Sequence, residues 1–187
     1  MNLSTNELRN GSLLLAEPFL QGNYFSRSVV LLADYSQEGA FGIIINKPME
    51  TKVNEVLLDY PELDFPIYLG GPVQKDNVFF IHTLGDIIPE SVKIIDGLFW
   101  GGDFEMVKEL IKTKSLNSTN IRFFIGYAGW TSMQLEEELK INSWVISESN
   151  TEEIMGNDSA KLWKTLVKRL GDDYKDWINY PINPMLN

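Results

Sequence analysis

The chain has 187 residues, no cysteine, and a formal net charge of −10 from 16 basic and 26 acidic side chains. The absence of cysteine excludes disulfides, thiol chemistry and thiolate metal sites. The negative charge disfavours direct nucleic-acid binding, because an acidic surface repels phosphate backbones. The length predicts a single domain over residues 1–187, with a core large enough to fold without a metal or a disulfide.

The amino-terminal region predicts neither secretion nor membrane insertion. The first twenty residues lack the basic and then apolar layout of a signal peptide. No apolar run approaches the roughly 18 residues that a membrane-spanning helix needs. We therefore expect a cytoplasmic protein that makes no membrane contact.

The first half of the chain is dominated by short strands. Buried strands are predicted at 13–16 and 28–33, and a strand at 40–46 is expected to form an antiparallel hairpin with the second of these. Gly42 lies inside the hairpin and indicates a bulge or a close neighbour. A short helix is predicted over 51–58 from its apolar residues at helical spacing.

The second half of the chain mixes strands with longer helices. Asp-Gly between two apolar runs predicts a hairpin over 92–100, and Asp103 is the expected N-cap of the helix that follows. A last helix is expected to begin at Asp158 or Ser159 and to end at Gly171, before an irregular tail. Further strands are predicted at 67–69, 78–82, 121–125 and 144–146. This pattern favours an α+β fold with a mainly antiparallel sheet.

The most informative segment runs from Gly126 to Leu139. It predicts a strand end, a corner bracketed by Gly126 and Gly129, and a helix opened by a capping box of Thr131 and Gln134. One interpretation is a structural corner with Trp130 in the core. The other is a ligand site, in which free helix N–H groups point into a glycine-lined cleft.

The only histidine, His82, is the centre of a possible hydrolase site. Asp86 follows four residues later and could orient the ring, although no serine is singled out by its context and no nucleophile elbow or P-loop is present. A half-buried, hydrogen-bonded histidine is the favoured interpretation. One histidine and scattered carboxylates are a poor zinc ligand set, so we expect no metal and no cofactor.

Two charged groups fit solvated helix faces. The acidic run at 136–138 covers the outer side of its predicted helix. The basic residues Lys161, Lys164, Lys168 and Arg169 occupy the polar face and carboxyl end of another, where positive charge suits the helix dipole. Contact of these basic residues with nucleic acid is the alternative.

Several glycines and polar residues lie at predicted strand ends, where a cleft could form. Asn46 and Lys47 end a buried strand, and Gly70 and Gly71 form a turn after another, although a plain strand exit and a tight turn are the favoured explanations. Gly101 and Gly102 lead into a helix, but Asp103 is expected to cap it and to repel an anion. The predicted ligand-binding residues are Asn46, Lys47, Gly70, Gly71, Gly129, Trp130 and Gln134.

The order of these pieces along the chain resembles the YqgE/AlgH family. The matching segments lie at 11–16, 25–32, 39–48, 70–73, 78–82, 101–102, 126–130, 134–136, 144 and 181–187. The resemblance implies a compact α+β protein of the bacterial cytoplasm, with a bulged and coiled sheet. Family members are often described as transcriptional regulators, a description based on genetics and not on a recognised DNA-binding motif.

The sequence departs from the family pattern in two places. Asp34 and Tyr35 stand where the family usually has Glu-His, and 131–133 replaces a turn of the Gly-Pro-Gly type. A catalytic role for that usual histidine would therefore not extend to this chain.

These observations favour a cytosolic binding or regulatory protein that acts through a small ligand or a protein partner and is not expected to be an enzyme. The first alternative is a hydrolase using acidic residues near His82. The second is a transcription regulator that contacts DNA directly, which the net charge disfavours. The sequence specifies neither the ligand nor the oligomeric state.

Overall fold

The computed structural model describes residues 7–20, 24–148 and 150–180, which form a ten-stranded sheet and six α-helices. The sheet is mainly antiparallel, as predicted, and the fold is α+β. The tail at 181–187, including its match to the family, lies outside the described residues. The strands are β1 Leu13–Ala16, β2 Val29–Ser36, β3 Gly39–Ile44, β4 Pro48–Lys52, β5 Pro66–Leu69, β6 Val73–His82, β7 Val92–Ile95, β8 Leu98–Trp100, β9 Ile121–Thr131 and β10 Trp144–Ser147. The helices are α1 Val53–Val56, α2 Phe104–Lys112, α3 Gln134–Lys140, α4 Thr151–Ile154, α5 Ser159–Arg169 and α6 Lys175–Asn179, with a 3₁₀ turn at Asp172–Tyr174.

Strand β9 joins the two halves of the sheet. The strand order is β10-β1-β2-β3-β9-β6-β8-β7, so β9 lies between the first hairpin and the strands of the second half. Its carboxyl end pairs with β3, while its amino end pairs with β6 and, in parallel, with β5. β5 in turn pairs with β4.

Three apolar cores flank the sheet, because side chains alternate between its faces. Leu13 and Leu15 contact the first core, which α5 covers, whereas Leu14 contacts the second, which α3 covers. The third core lies between the second half of the sheet and helices α1 and α2. Its fully buried members include Val53, Leu63, Ile67, Val107, Ile121 and Phe123.

Most of the predicted local structure is confirmed. β2 and β3 form the expected hairpin, with a bulge between Leu32 and Asp34 opposite Gly42. β7 and β8 form the hairpin around Asp96-Gly97. The Asp103 carboxylate caps α2 by accepting the Glu105 N–H at 2.8 Å.

Two element boundaries were predicted wrongly. The segment predicted as a helix over 51–58 begins in β4, because Lys52 pairs with Pro66 of β5, and the helix is confined to Val53–Val56. The strand predicted to end at residue 125 continues through both glycines to Thr131. Gly126 adopts a φ of +69°, which bends the strand without ending it.

The predicted capping box at the start of α3 is only half formed. Gln134 accepts the Thr131 backbone N–H at 3.1 Å, as expected. The Thr131 hydroxyl, however, contacts the same Gln134 oxygen at 3.3 Å instead of accepting a helix N–H. Met133 is the N-cap, in the left-handed conformation with a φ of +64°.

Candidate functional site

Asn46 and Lys47, the first two predicted site residues, are bound to neighbouring backbone. The buried Asn46 amide accepts the Val29 N–H at 2.7 Å and donates to the Arg27 carbonyl at 3.0 Å. The Lys47 ammonium donates to the Tyr24 carbonyl at 2.5 Å. Burial lowers the pKa of Lys47, because the charged form loses hydration. Both side chains therefore hold the exit of β3 against the segment before β2.

Gly70 and Gly71 allow the end of β5 to lie directly against β9. The Gly70 N–H donates to the Ile125 carbonyl at 2.8 Å. A Cβ atom at Gly70 would lie 2.1 Å from the Gly126 oxygen, and one at Gly71 would lie 2.2 Å from the Tyr127 carbonyl. A close backbone approach thus explains both glycines.

Trp130 and Gln134 contact the same carboxylate, that of Glu138. Oε2 of Glu138 accepts the indole N–H groups of Trp130 at 2.9 Å and of Trp144 at 2.7 Å. Oε1 accepts the Gln134 amide at 2.9 Å. Glu136 likewise accepts the Tyr35 hydroxyl at 2.7 Å. The prediction that the whole acidic run at 136–138 is solvated was therefore wrong.

The seven predicted site residues fall into two groups along the sheet. Asn46, Lys47, Gly70 and Gly71 lie together, since the Leu69 N–H donates to the Lys47 carbonyl at 3.0 Å. The second group is Gly129, Trp130 and Gln134, at the carboxyl end of β9 and the start of α3. Their role in ligand binding stays a prediction.

His82 lacks the surroundings of a general base. The ring is fully buried, and its Nδ1 accepts the Leu84 N–H at 3.1 Å. Nε2 therefore carries the proton and donates to the Gly101 carbonyl at 2.8 Å. Ser91 lies 3.1 Å from Nε2, but its hydroxyl donates to the Ile88 carbonyl at 2.7 Å. Burial lowers the pKa of His82 and favours this neutral form.

No carboxylate lies within hydrogen-bond distance of His82 in the part of the chain that the structure describes. The same residues contain no group of three or more histidine, aspartate or glutamate side chains that could hold a metal ion. The arrangement needed by the hydrolase alternative is therefore not formed at His82.

The predicted basic surface is partly neutralised by neighbouring acids. Lys161 lies 3.2 Å from the Asp158 carboxylate, and Arg169 lies 2.6 Å from Glu153. Paired side chains of this kind contribute less to phosphate attraction than free ones. No helix among the described residues is long and apolar enough to cross a membrane.

A groove lined by aromatic side chains lies between β6, β9 and helices α1 and α2. We call it the phenylalanine groove, and its volume is about 400 Å³. Within it, the Phe80 ring lies 5.8 Å from Phe123 and 6.1 Å from Phe104, measured between ring centroids. None of the seven predicted site residues lines it. The lining residues are Leu57, Asp76, Asn77, Val78, Phe79, Phe80, Phe104 and Phe123.

The rim of the phenylalanine groove combines exposed apolar and acidic side chains. Leu58 follows the lining residue Leu57 and is 78% exposed. Asp76 belongs to an excursion of β6, in which residues 74–77 have no partner on β9. The carboxylate of Asp76 forms no ion pair with any residue that the structure describes.

The sequence predicted the apolar lining residues only as parts of strands and helices, and it assigned Asp76 and Asn77 to no element. The groove depends on four elements that are distant in the chain, so no local spacing marks it. A partial signal was the pair Phe79-Phe80, whose side chains must point to opposite faces of one strand. Another was Leu57-Leu58, because only one of two adjacent leucines in a predicted helix over 51–58 can face the core.

The similarity of this chain to known proteins extends over nearly its whole length. A family model described as AlgH-like matches residues 13–175. A UPF0301 protein of Parabacteroides distasonis is 46% identical over 179 residues, covering 95% of this chain and 90% of the relative. A UPF0301 protein of Chlorobaculum tepidum is 41% identical over 186 residues, covering 98% and 100%.

Solved structures show the same fold. The solution structure of the AlgH protein from Pseudomonas aeruginosa is similar with a TM-score of 0.73 and 26% identity, covering 92% of this chain and 94% of the other. The crystal structure of protein DIP2367 from Corynebacterium diphtheriae has a TM-score of 0.76 at 20% identity, with 94% of each chain covered. The resemblance inferred from the sequence is confirmed, and the chain belongs to the AlgH-like family.

Proposed function

We propose that the protein is a non-enzymatic binding module of the cytoplasm, and that its phenylalanine groove accepts an apolar side chain of a protein partner. The observation that carries this proposal is the groove itself, about 400 Å³ in volume, with the clustered rings of Phe80, Phe104 and Phe123 in its lining. Concave, mainly apolar sites with a few polar groups are the usual form of binding sites. The cytoplasmic location is supported by the family resemblance and is compatible with the absence of cysteine.

A protein partner is favoured over a small molecule by the apolar rim. Leu58 is 78% exposed and Val56 is 36% exposed, next to the lining residue Leu57. Exposed apolar side chains that continue a groove enlarge the area that a partner can bury. A small ligand inside the groove would leave Leu58 in water.

The charge of the rim indicates what flanks the apolar side chain in the partner. Asp76 carries an exposed negative charge at the groove, in a protein of net charge −10. The nearby Lys108, whose ammonium lies over the Phe104 ring, is paired with Glu105 at 2.5 Å, so it does not offset this carboxylate. Complementary charges steer association and select partners. We therefore expect a partner segment with an aromatic or aliphatic anchor between lysines or arginines.

Binding without catalysis agrees with the state of His82, which is neutral, buried and without a carboxylate partner. A regulatory role would then be exerted through the bound protein, with no need for direct DNA contact. The pairing of Lys161 and Arg169 with acidic residues supports this, because paired basic side chains attract DNA phosphates less than free ones do.

A displayed library of random dodecapeptides tests the proposal. Peptides selected on the wild-type protein should carry an apolar anchor with basic flanks, and Leu58→Asp should weaken their binding by about tenfold or more. Ile141→Asp is the matched control, because Ile141 is 74% exposed and lies outside the groove. Equal binding to both variants, or no enrichment of such peptides, would show that the groove is not the binding site.

The charge argument has its own test on the selected peptides. Asp76→Lys should slow their association and reduce its dependence on salt, because a rim carboxylate is replaced by a cation. Asp173→Lys makes the same charge change at an exposed position away from the groove. If both variants behave alike, only the net charge of the protein affects binding.

A further inference from the structure

Arg122 is a buried cation on strand β9. The side chain is 3% exposed, with Nη1 donating to the Ile154 carbonyl at 2.7 Å and Nη2 to the Gly156 carbonyl at 3.0 Å. The guanidinium also lies over the Tyr68 ring, 4.5 Å from its centroid. These contacts fix its position, but all of them are to neutral groups.

The positive charge of Arg122 has no carboxylate partner among the residues that the structure describes. Asp64 is paired with Lys52 at 2.6 Å, and Asp158 is paired with Lys161 at 3.2 Å. Arginine keeps its proton in proteins, and a buried charge is costly unless it is paired. A counterion at this position would remove that cost.

Arg122 lines a small cavity that such a counterion could occupy. The cavity has a volume of about 150 Å³, and Tyr68, Ser118 and Asn157 also line it. Neither the Ser118 hydroxyl nor the Asn157 amide forms a hydrogen bond to another described residue. Both residues are exposed at the cavity mouth, so their polar groups are free to donate to an anion that enters it. Sites for drug-sized ligands usually exceed roughly 300 Å³, so this cavity suits a small oxyanion.

We propose that this cavity binds a small oxyanion of the phosphate class, either as the free ion or as the phosphoryl group of a larger molecule. The Arg122 guanidinium supplies charge-assisted hydrogen bonds, which are stronger than neutral ones. Ser118 and Asn157 supply the neutral donors. The cavity shares no lining residue with the phenylalanine groove, so this site is independent of the proposed partner binding.

Asn157→Asp is the decisive variant, because it introduces a carboxylate beside Arg122 with almost no change of shape. Phosphate binding, measured by calorimetry and thermal shift against chloride at equal ionic strength, should weaken by about tenfold or more. The same variant should melt at a higher temperature than the wild type in chloride, since Arg122 gains an internal counterion. Asn142→Asp is the control, as it adds the same charge at a residue that does not line the cavity.

Phenyl phosphate distinguishes the two forms of the ligand. Binding of both inorganic phosphate and phenyl phosphate would indicate a phosphoryl group on a larger molecule, and binding of phosphate alone would indicate the free ion. The proposal is overturned if phosphate stabilises the wild type no more than chloride does. It is equally overturned if the wild type, Asn157→Asp and Asn142→Asp respond to phosphate alike.

Discussion

At the scale of single residues, Glu138 shows how one carboxylate organises the end of β9. It accepts two indole N–H groups, from Trp130 and Trp144, and these tryptophans are buried. Their rings contact each other edge to face, with centroids 5.9 Å apart. Because a buried donor without an acceptor is costly, Glu138 is required for both tryptophans to be buried together.

Glu138→Ala should therefore destabilise the protein by about 2–4 kcal/mol, since both indole donors lose their acceptor at once. Glu137→Ala, at the neighbouring exposed position, should change stability by less than about 0.5 kcal/mol. Urea denaturation followed by tryptophan fluorescence measures both free energies of unfolding. Equal effects of the two substitutions would mean that water replaces the carboxylate at the indoles.

His82 should make stability depend on pH near neutrality. Burial lowers its pKa in the folded state below the usual 6.5, so the unfolded chain binds the proton more readily. Stability is then full above pH 6.5 and falls as the pH drops from there towards the folded pKa. At about pH 5.5 the loss should reach at most about 1.4 kcal/mol.

Denaturant midpoints at about pH 7.5 and about pH 5.5 measure this loss, in a range where most carboxylates remain ionised. His82→Gln should be less stable at both values, because the buried hydrogen bonds to Leu84 and Gly101 are disturbed. It should, however, lose less stability than the wild type between them, since the chain has no other histidine. An unchanged pH dependence in His82→Gln would contradict the assignment.

At the scale of elements, the sequence predicted those structures whose signals are local. The Asp103 cap identified the start of α2, and Asp-Gly identified the β7–β8 hairpin. The bend within β9 was misread, because the left-handed φ of Gly126 serves equally well in a turn or inside a strand. Only the pairing of β9 with both β3 and β6 decides between the two, and that pairing is not local.

The two glycines of β9 should consequently tolerate substitution very differently. Gly126→Ala should cost about 2 kcal/mol or more, because the residue adopts a φ of +69° and a Cβ atom would lie 2.4 Å from the Gly71 oxygen. Gly129→Ala should cost less than about 1 kcal/mol, since its nearest contact would be the Tyr127 ring at 3.4 Å. Thermal unfolding of both variants tests this, and a larger loss for Gly129→Ala would contradict the geometry.

Sequence patterns could not predict the candidate sites, because these sites also depend on contacts between distant parts of the chain. The phenylalanine groove takes its lining from α1, β6, α2 and β9, and each contribution alone is typical of a core. The glycines that were predicted to form a cleft serve close packing of β5 on β9. Likewise, nothing local indicates that Arg122 lacks a carboxylate partner, because that depends on which ion pairs form around it.

At the scale of the whole molecule, β9 contributes to all three cores. Phe124 contacts the first core, Ala128 and Trp130 the second, and Phe123 the third. Unfolding any one core therefore exposes part of a strand that the others need. We accordingly propose that residues 1–187 unfold as one cooperative unit, in agreement with the single domain predicted from chain length.

This cooperativity predicts how a substitution in one core affects the unfolding of the others. Phe124→Leu removes part of a fully buried ring and should cost on the order of 1–2 kcal/mol, below the roughly 3–5 kcal/mol of a change to alanine. Tryptophan fluorescence, which arises from five tryptophans that include Trp163 in the first core and Trp130 in the second, should shift its midpoint together with far-UV circular dichroism. Ile141→Ser, at an exposed position, should leave both midpoints unchanged. Separate midpoints for the two signals would mean that the halves of the sheet unfold independently despite sharing β9.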